Sequence, residues 1–157
     1  MIGELFNTEF FVRILASLIC SAAFAVLFHA APRHLPAAGL SGALAYLVYH
    51  VIVFFGGHVF AAAFFATAAG AVYAEIYARI FRTPVIVVLS AAIIPIVPGG
   101  DLYYTMQGAL IGNAEAALTN FVKTMSIALG IAGGIVVVAL AFRILSDVLA
   151  EHRKGGV

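Results

Sequence analysis

One stretch of the chain gathers the residue types that bind ions and small polar solutes. It reads IPIVPGGDLYYTMQ and runs from Ile94 to Gln107. Pro95 and Pro98 lack a backbone N–H and clash with the preceding helical turn, so carbonyls near Ala91 and Ile94 lose their donors. Gly99 and Gly100 reach backbone angles closed to other residues. Asp101 then stands where a helix N-cap belongs, its carboxylate within reach of the N–H of Tyr103 or Tyr104. The expected product is a helix broken in two, with the second half starting near Leu102. Free N–H groups at such a start attract anions. A solute carboxylate can dock on Pro98, Gly99 and Gly100, while Asp101 holds an ammonium or carries a coupling proton. The plain alternative is a cap at a watery loop. Tyr104, Thr105 and Gln107 add hydroxyls and an amide, and Thr105 shares a face with Asp101. Tyr103 and Tyr104 can equally anchor the chain at a membrane interface.

A cation is needed to balance this arrangement. Lys123 lies in a stripe with Thr119, Ser126, Gly130 and Gly133, spaced four and three apart along one helix face, with Asn120 and Thr124 beside it. It can neutralise Asp101, receive an anionic solute, or snorkel to the surface. Glu75 and Arg79 have the favourable order and spacing for a helical ion pair, structural or gating in role. His29, His34, His50 and His58 show no metal-ligand spacing such as HExxH and are read as interfacial or pocket-wall residues, with His50 a possible proton carrier. No nucleophile–base pair, phosphate-cradling loop or catalytic carboxylate pair is present, so no enzyme activity, cofactor or metal is expected.

The elements that position these residues follow from composition. Of 157 residues, 64% are hydrophobic and 10% charged, with mean hydropathy +1.14. A soluble domain is about half apolar and about a quarter charged. A chain this short cannot hide such an excess in its core, so its solvent is lipid. Net charge is +1, which gives no footprint for nucleic acid. The single Cys20 excludes an internal disulfide and a cysteine-based metal site. Glu4 and Glu9 occupy the place of a basic signal-peptide region, so the first apolar segment is expected to be retained.

The expected fold is all-α: a polytopic membrane protein of about five spans, at 10–30, 37–55, 58–80, 84–112 (broken near 95–101) and 118–145. Gly56 and Gly57 divide the second span from the third. With the N-terminus outside and the C-terminus cytoplasmic, Arg33, Arg79, Arg82, Arg143, Arg153 and Lys154 fall on the cytoplasmic side, and Arg13 and Lys123 do not. Gly108-xxx-Gly112, Gly130-xxx-Gly134 and the small face of Ala61, Ala62, Ala63, Ala66, Gly70 and Ala74 predict close helix packing, within one subunit or across a dimer.

GALAYLVYH (Gly42–His50), AEIYARIFRTPVIVVL (Ala74–Leu89), IIPIVPGGDLYYTMQGAL (Ile93–Leu110) and LTNF (Leu118–Phe121) resemble the threonine/serine exporter family. The likeness is to its stand-alone small subunit, equivalent to the C-terminal half of the fused exporters. PxxPG is the most specific element, supported by the ARxx(K/R)TP junction. The resemblance implies a five-helix domain in the bacterial inner membrane and a larger membrane subunit of the same family as partner. It also implies export of threonine or serine, for which the expected driving force is the proton gradient. A related branch is associated with succinate, so a dicarboxylate exporter subunit is an alternative, as are a non-transporting scaffold and a homo-oligomeric channel. The motif positions carried over are Pro95, Pro98, Gly99, Tyr104 and Thr105. Asp101 departs from the family pattern, in which this position is commonly small or polar.

Overall fold

Small residues turn inward and large ones outward, the reverse of what water demands. In the computed structural model, which describes residues 8–154, the core is built of alanines such as Ala25, Ala38, Ala45, Ala63, Ala66, Ala74 and Ala91. The largest fully buried side chains are only Val88, Thr67, Ser21 and Ser41. Phe11, Leu15, Ile19, Phe65, Ile80, Leu129 and Leu140 are all more than half exposed. Such a surface is stable against lipid tails, and small interior residues let helix backbones approach. Glu4 lies outside the described residues, as do the side chains of Arg153 and Lys154.

Six helices carry the described residues: α1 (Thr8–Leu27), α2 (Leu35–Phe54), α3 (Val59–Phe81), α4 (Ile86–Ile93), α5 (Gly99–Leu110) and α6 (Ala114–Lys154). Short 3-10 turns cover Pro32–His34 and Ile94–Ile96. Among the described residues, four helices are long and apolar enough to cross a bilayer, and α4 with α5 makes a fifth crossing when the bent pair counts as one. α3 packs most heavily on α6. α2 sits between α1 and α3 and also holds α4, whereas α5 packs chiefly on α6.

The α3–α6 seam explains the second glycine motif. A Cβ on Gly130 would lie 2.7 Å from the Phe60 carbonyl oxygen, and one on Gly134 2.6 Å from that of Phe64. Both distances are too short for any side chain, so Gly130-xxx-Gly134 packs helices within the subunit. A Cβ on Gly108 would likewise lie 2.9 Å from the Ala117 nitrogen of α6. Gly112 does not continue that motif. It follows the end of α5 with φ +75°, and a Cβ there would meet open space.

Four helices end in the same way, with an i to i−5 backbone bond over a left-handed residue. The bonds are Ala30 to Ala25, Gly57 to Ile52, Thr83 to Ala78 and Asn113 to Gly108. The left-handed residues are His29, Gly56, Arg82 and Gly112. His34, buried before α2, ties the first turn to α3: its Nδ1 lies 3.0 Å from the Tyr77 hydroxyl, and Arg33 Nε donates to its Nε2 at 3.0 Å. His58 precedes α3 as its extended N-cap residue. The His50 ring packs between Phe10 and Tyr46.

Candidate functional site

The chain breaks where its prolines require it. α4 stops at Ile93, Ile94–Ile96 tighten into a 3-10 turn, and Val97 is extended with ψ 127°. α5 then leaves at 50°. The loosened backbone is re-satisfied locally: Val97 N–H donates to Ile94 O at 3.3 Å, Gly99 N–H to Val97 O at 2.8 Å, and Leu102 N–H to Pro98 O at 3.0 Å. Bonds of this kind are what permit a break at membrane depth.

Two expectations are corrected here. α5 starts at Gly99 rather than near Leu102, and its N-cap residue is Pro98, with no side-chain cap. Asp101 is the third residue of α5 and not its cap. Pro98 has no N–H to satisfy and offers its carbonyl to Leu102, so the helix closes as soon as the proline is passed. Released from capping, the Asp101 carboxylate reaches α6. Its Oδ1 lies 2.8 Å from Lys123 Nζ, with the side chains 19% and 46% exposed respectively. The positive end of α5 also favours a negative charge at this position. Thr105 Oγ1 donates to the Asp101 carbonyl at 2.8 Å, so the two share a face as the spacing requires.

The remaining site residues fall into two groups. Pro98, Gly99 and Gly100 surround the start of α5, and a Cβ on either glycine would meet open space. The first N–H groups of this helix have no intrahelical acceptor. Thr105 lines a cavity of about 380 Å³ between α5 and α6, together with Ala109, Leu118 and Phe121. Tyr104 and Gln107 are exposed and bond to neither charge. Tyr104 instead packs edge-on against Tyr103 at 5.5 Å. Glu75 and Arg79 pair at 3.7 Å. Arg79 also donates to the Phe142 carbonyl at 3.2 Å and covers the Phe142 ring at 5.1 Å, so this pair fastens α3 to α6 apart from the break. Sequence reasoning missed Tyr49 of α2, which packs against the core cluster that holds Ile96 of the break and Ile127 of α6. Only its place in GALAYLVYH, on the helix that holds α4, hinted at this.

Chemically, the arrangement sets a cation and an anion that balance each other beside the start of α5.

Residues 13–141 match the family described as Threonine/Serine exporter, ThrE. The chain is similar to a threonine/serine exporter of Corynebacterium glutamicum, with 34% identity over 126 residues. That alignment covers 80% of this chain and 26% of the relative, so the chain spans about a quarter of that protein's length. No solved structure matches. The matched interval contains the whole break, Asp101 and Lys123, and the chain belongs to the threonine/serine exporter family.

Proposed function

We propose that this chain is the small membrane subunit of a secondary exporter for carboxylate-bearing metabolites, threonine and serine first among them. The observation that carries this reading is the span broken at Ile94–Pro98 with Asp101 and Lys123 held 2.8 Å apart beside it. Discontinuous helices of this kind form the solute sites of many secondary transporters. A zwitterionic amino acid can exchange with the internal pair. Its carboxylate replaces Asp101 at Lys123 and takes the open N–H groups of α5, while its ammonium replaces Lys123 at Asp101. Charge stays balanced throughout, which limits the cost of moving ions into a poorly polar site. A dicarboxylate would meet the Asp101 charge instead, so the amino-acid reading fits the pair better than succinate. Protonation of Asp101 would break the pair and couple export to the proton gradient.

A larger membrane subunit of the same family completes the exporter. The relative's greater length supports this, as does α5, whose Tyr104 and Gln107 would read the solute's polar groups once covered. The orientation that suits Arg33, Arg79, Arg82 and Arg143 puts the N-terminus outside a bacterial inner membrane and the C-terminus in the cytoplasm. The test is efflux of labelled threonine from cells that contain both subunits. Asp101→Asn is expected to abolish efflux. Gly99→Leu, whose side chain enters open space and leaves the fold intact, is expected to block the amide site. Full export by both variants would remove the site assignment.

A further inference from the structure

A second opening reaches the break from between α1 and α2. It is a shallow, open groove of about 320 Å³ lined by Arg13, Ala16, Ser17, Cys20, Tyr46 and Pro95. Pro95 belongs to the 3-10 turn that follows α4, so this groove ends on the broken segment itself. Its volume lies within the range of small-molecule sites, which begins near about 300 Å³.

Arg13 is misplaced by ordinary membrane logic. It stands in the second turn of an apolar helix, and in the five-span arrangement it lies on the side that basic residues avoid. Its partner Glu9 is 3.7 Å away, and the two side chains are 61% and 77% exposed. A pair this open is weak, and it leaves most of the five guanidinium donors unused. Lys123, by contrast, is already bound to Asp101. Deeper along the same face of α1, Ser21 is fully buried and its hydroxyl has no partner among the described residues. Ser21 sits where Gly42 and Pro95 converge. A Cβ on Gly42 would collide with the Ser21 hydroxyl and lie 3.3 Å from the Pro95 ring. The groove therefore has a cation at its mouth, a phenol on its wall, and an unsatisfied hydroxyl beneath the broken backbone.

We propose that this groove binds the carboxylate of the exported solute, with Arg13 as its bidentate partner and the Tyr46 hydroxyl serving the solute's polar groups, while Ser17, whose proton is held by the Ile14 carbonyl at 2.8 Å, can only accept. A guanidinium fits a carboxylate fork with two parallel bonds, and the lipid surroundings strengthen that attraction over its value in water. The inference rests on the export reading above and adds a second point of capture to it.

Cys20 lines the groove and is the chain's one cysteine, so it is a native reporter. In membranes holding the full chain with its larger partner, Cys20 is labelled with an anionic and a cationic methanethiosulfonate reagent, with Cys20→Ser as the blank. The anionic reagent is expected to react several-fold faster, and Arg13→Gln to abolish that preference while Arg13→Lys keeps it. L-threonine and succinate, in separate arms, are expected to slow labelling of the native chain but not of Arg13→Gln. Protection by threonine alone assigns an amino acid to the groove, protection by succinate alone a dicarboxylate, and protection by both any small carboxylate. Equal rates for the two reagents, a preference that Arg13→Gln leaves intact, or protection by neither solute overturns the site. Efflux from the same cells separates the two readings. Export with a negative labelling result removes only the groove, and a positive labelling result without export removes only the transport reading.

Discussion

Removing one charge from the Asp101–Lys123 pair should cost more than removing both. At 2.8 Å and an effective dielectric of about 20, the gross attraction is about 6 kcal/mol. Both groups lose hydration to meet, and Lys123 stays 46% exposed, so much of that gain is returned to the solvent. Fully exposed pairs contribute about 0–1 kcal/mol, and breaking a fully buried one costs about 3–5 kcal/mol. This half-buried pair belongs between them, with a coupling energy of about 1–3 kcal/mol. The assay is a double-mutant cycle of Asp101→Asn, Lys123→Met and the combined variant, unfolded in detergent micelles. Each single variant should lose about 1–3 kcal/mol, and the combined variant should recover most of that loss, because no unpaired charge remains. Threonine efflux should fail in all three. A coupling energy below about 0.5 kcal/mol would refute the pairing. Wild-type efflux by the combined variant would make the pair a fastening with no solute role.

Three further outcomes follow from the packing. Gly130→Ala and Gly134→Ala should each destabilise by about 1–3 kcal/mol, because a backbone carbonyl of α3 blocks the new Cβ. Gly133→Ala meets only the edge of the Phe64 ring at 3.3 Å, so thermal unfolding in detergent should place it well below the other two. Ser21→Ala should leave stability unchanged or raise it by up to about 1 kcal/mol, since the buried hydroxyl it deletes has no partner to lose. Arg82→Gly should raise stability by about 0.5–1 kcal/mol in the same assay, because Arg82 holds a left-handed backbone at φ 50° that glycine adopts without strain.

The break was legible because proline and glycine act locally. Pro95 and Pro98 withhold donors whatever surrounds them, and the chain bends where they stand. The role of Asp101 was half legible. Its spacing to Thr105 put both on one face, and Lys123 stood as the available cation, but the cap assignment failed. Helix starts depend on which carbonyl closes the first turn, and here Pro98 O does so for Leu102. Gly112 shows another limit. An i, i+4 glycine pair reads the same whether its second member packs or turns, and the deciding clue was the next residue. Asn113 accepts the Ala116 N–H on its side chain at 3.1 Å, the mark of a new helix beginning. Arg82 gave no clue beyond Pro84 two residues on, because a left-handed arginine has no compositional signature. The Arg13 groove was invisible because three distant segments build it.

α6 runs for 41 residues, which at about 1.5 Å each makes a rod near 60 Å, roughly twice the hydrocarbon depth of a bilayer. Beyond Phe142, where Arg79 fastens it to α3, the helix continues to Lys154. Lys123 and that overhang thus lie on one continuous helix, on opposite sides of the α3 seam.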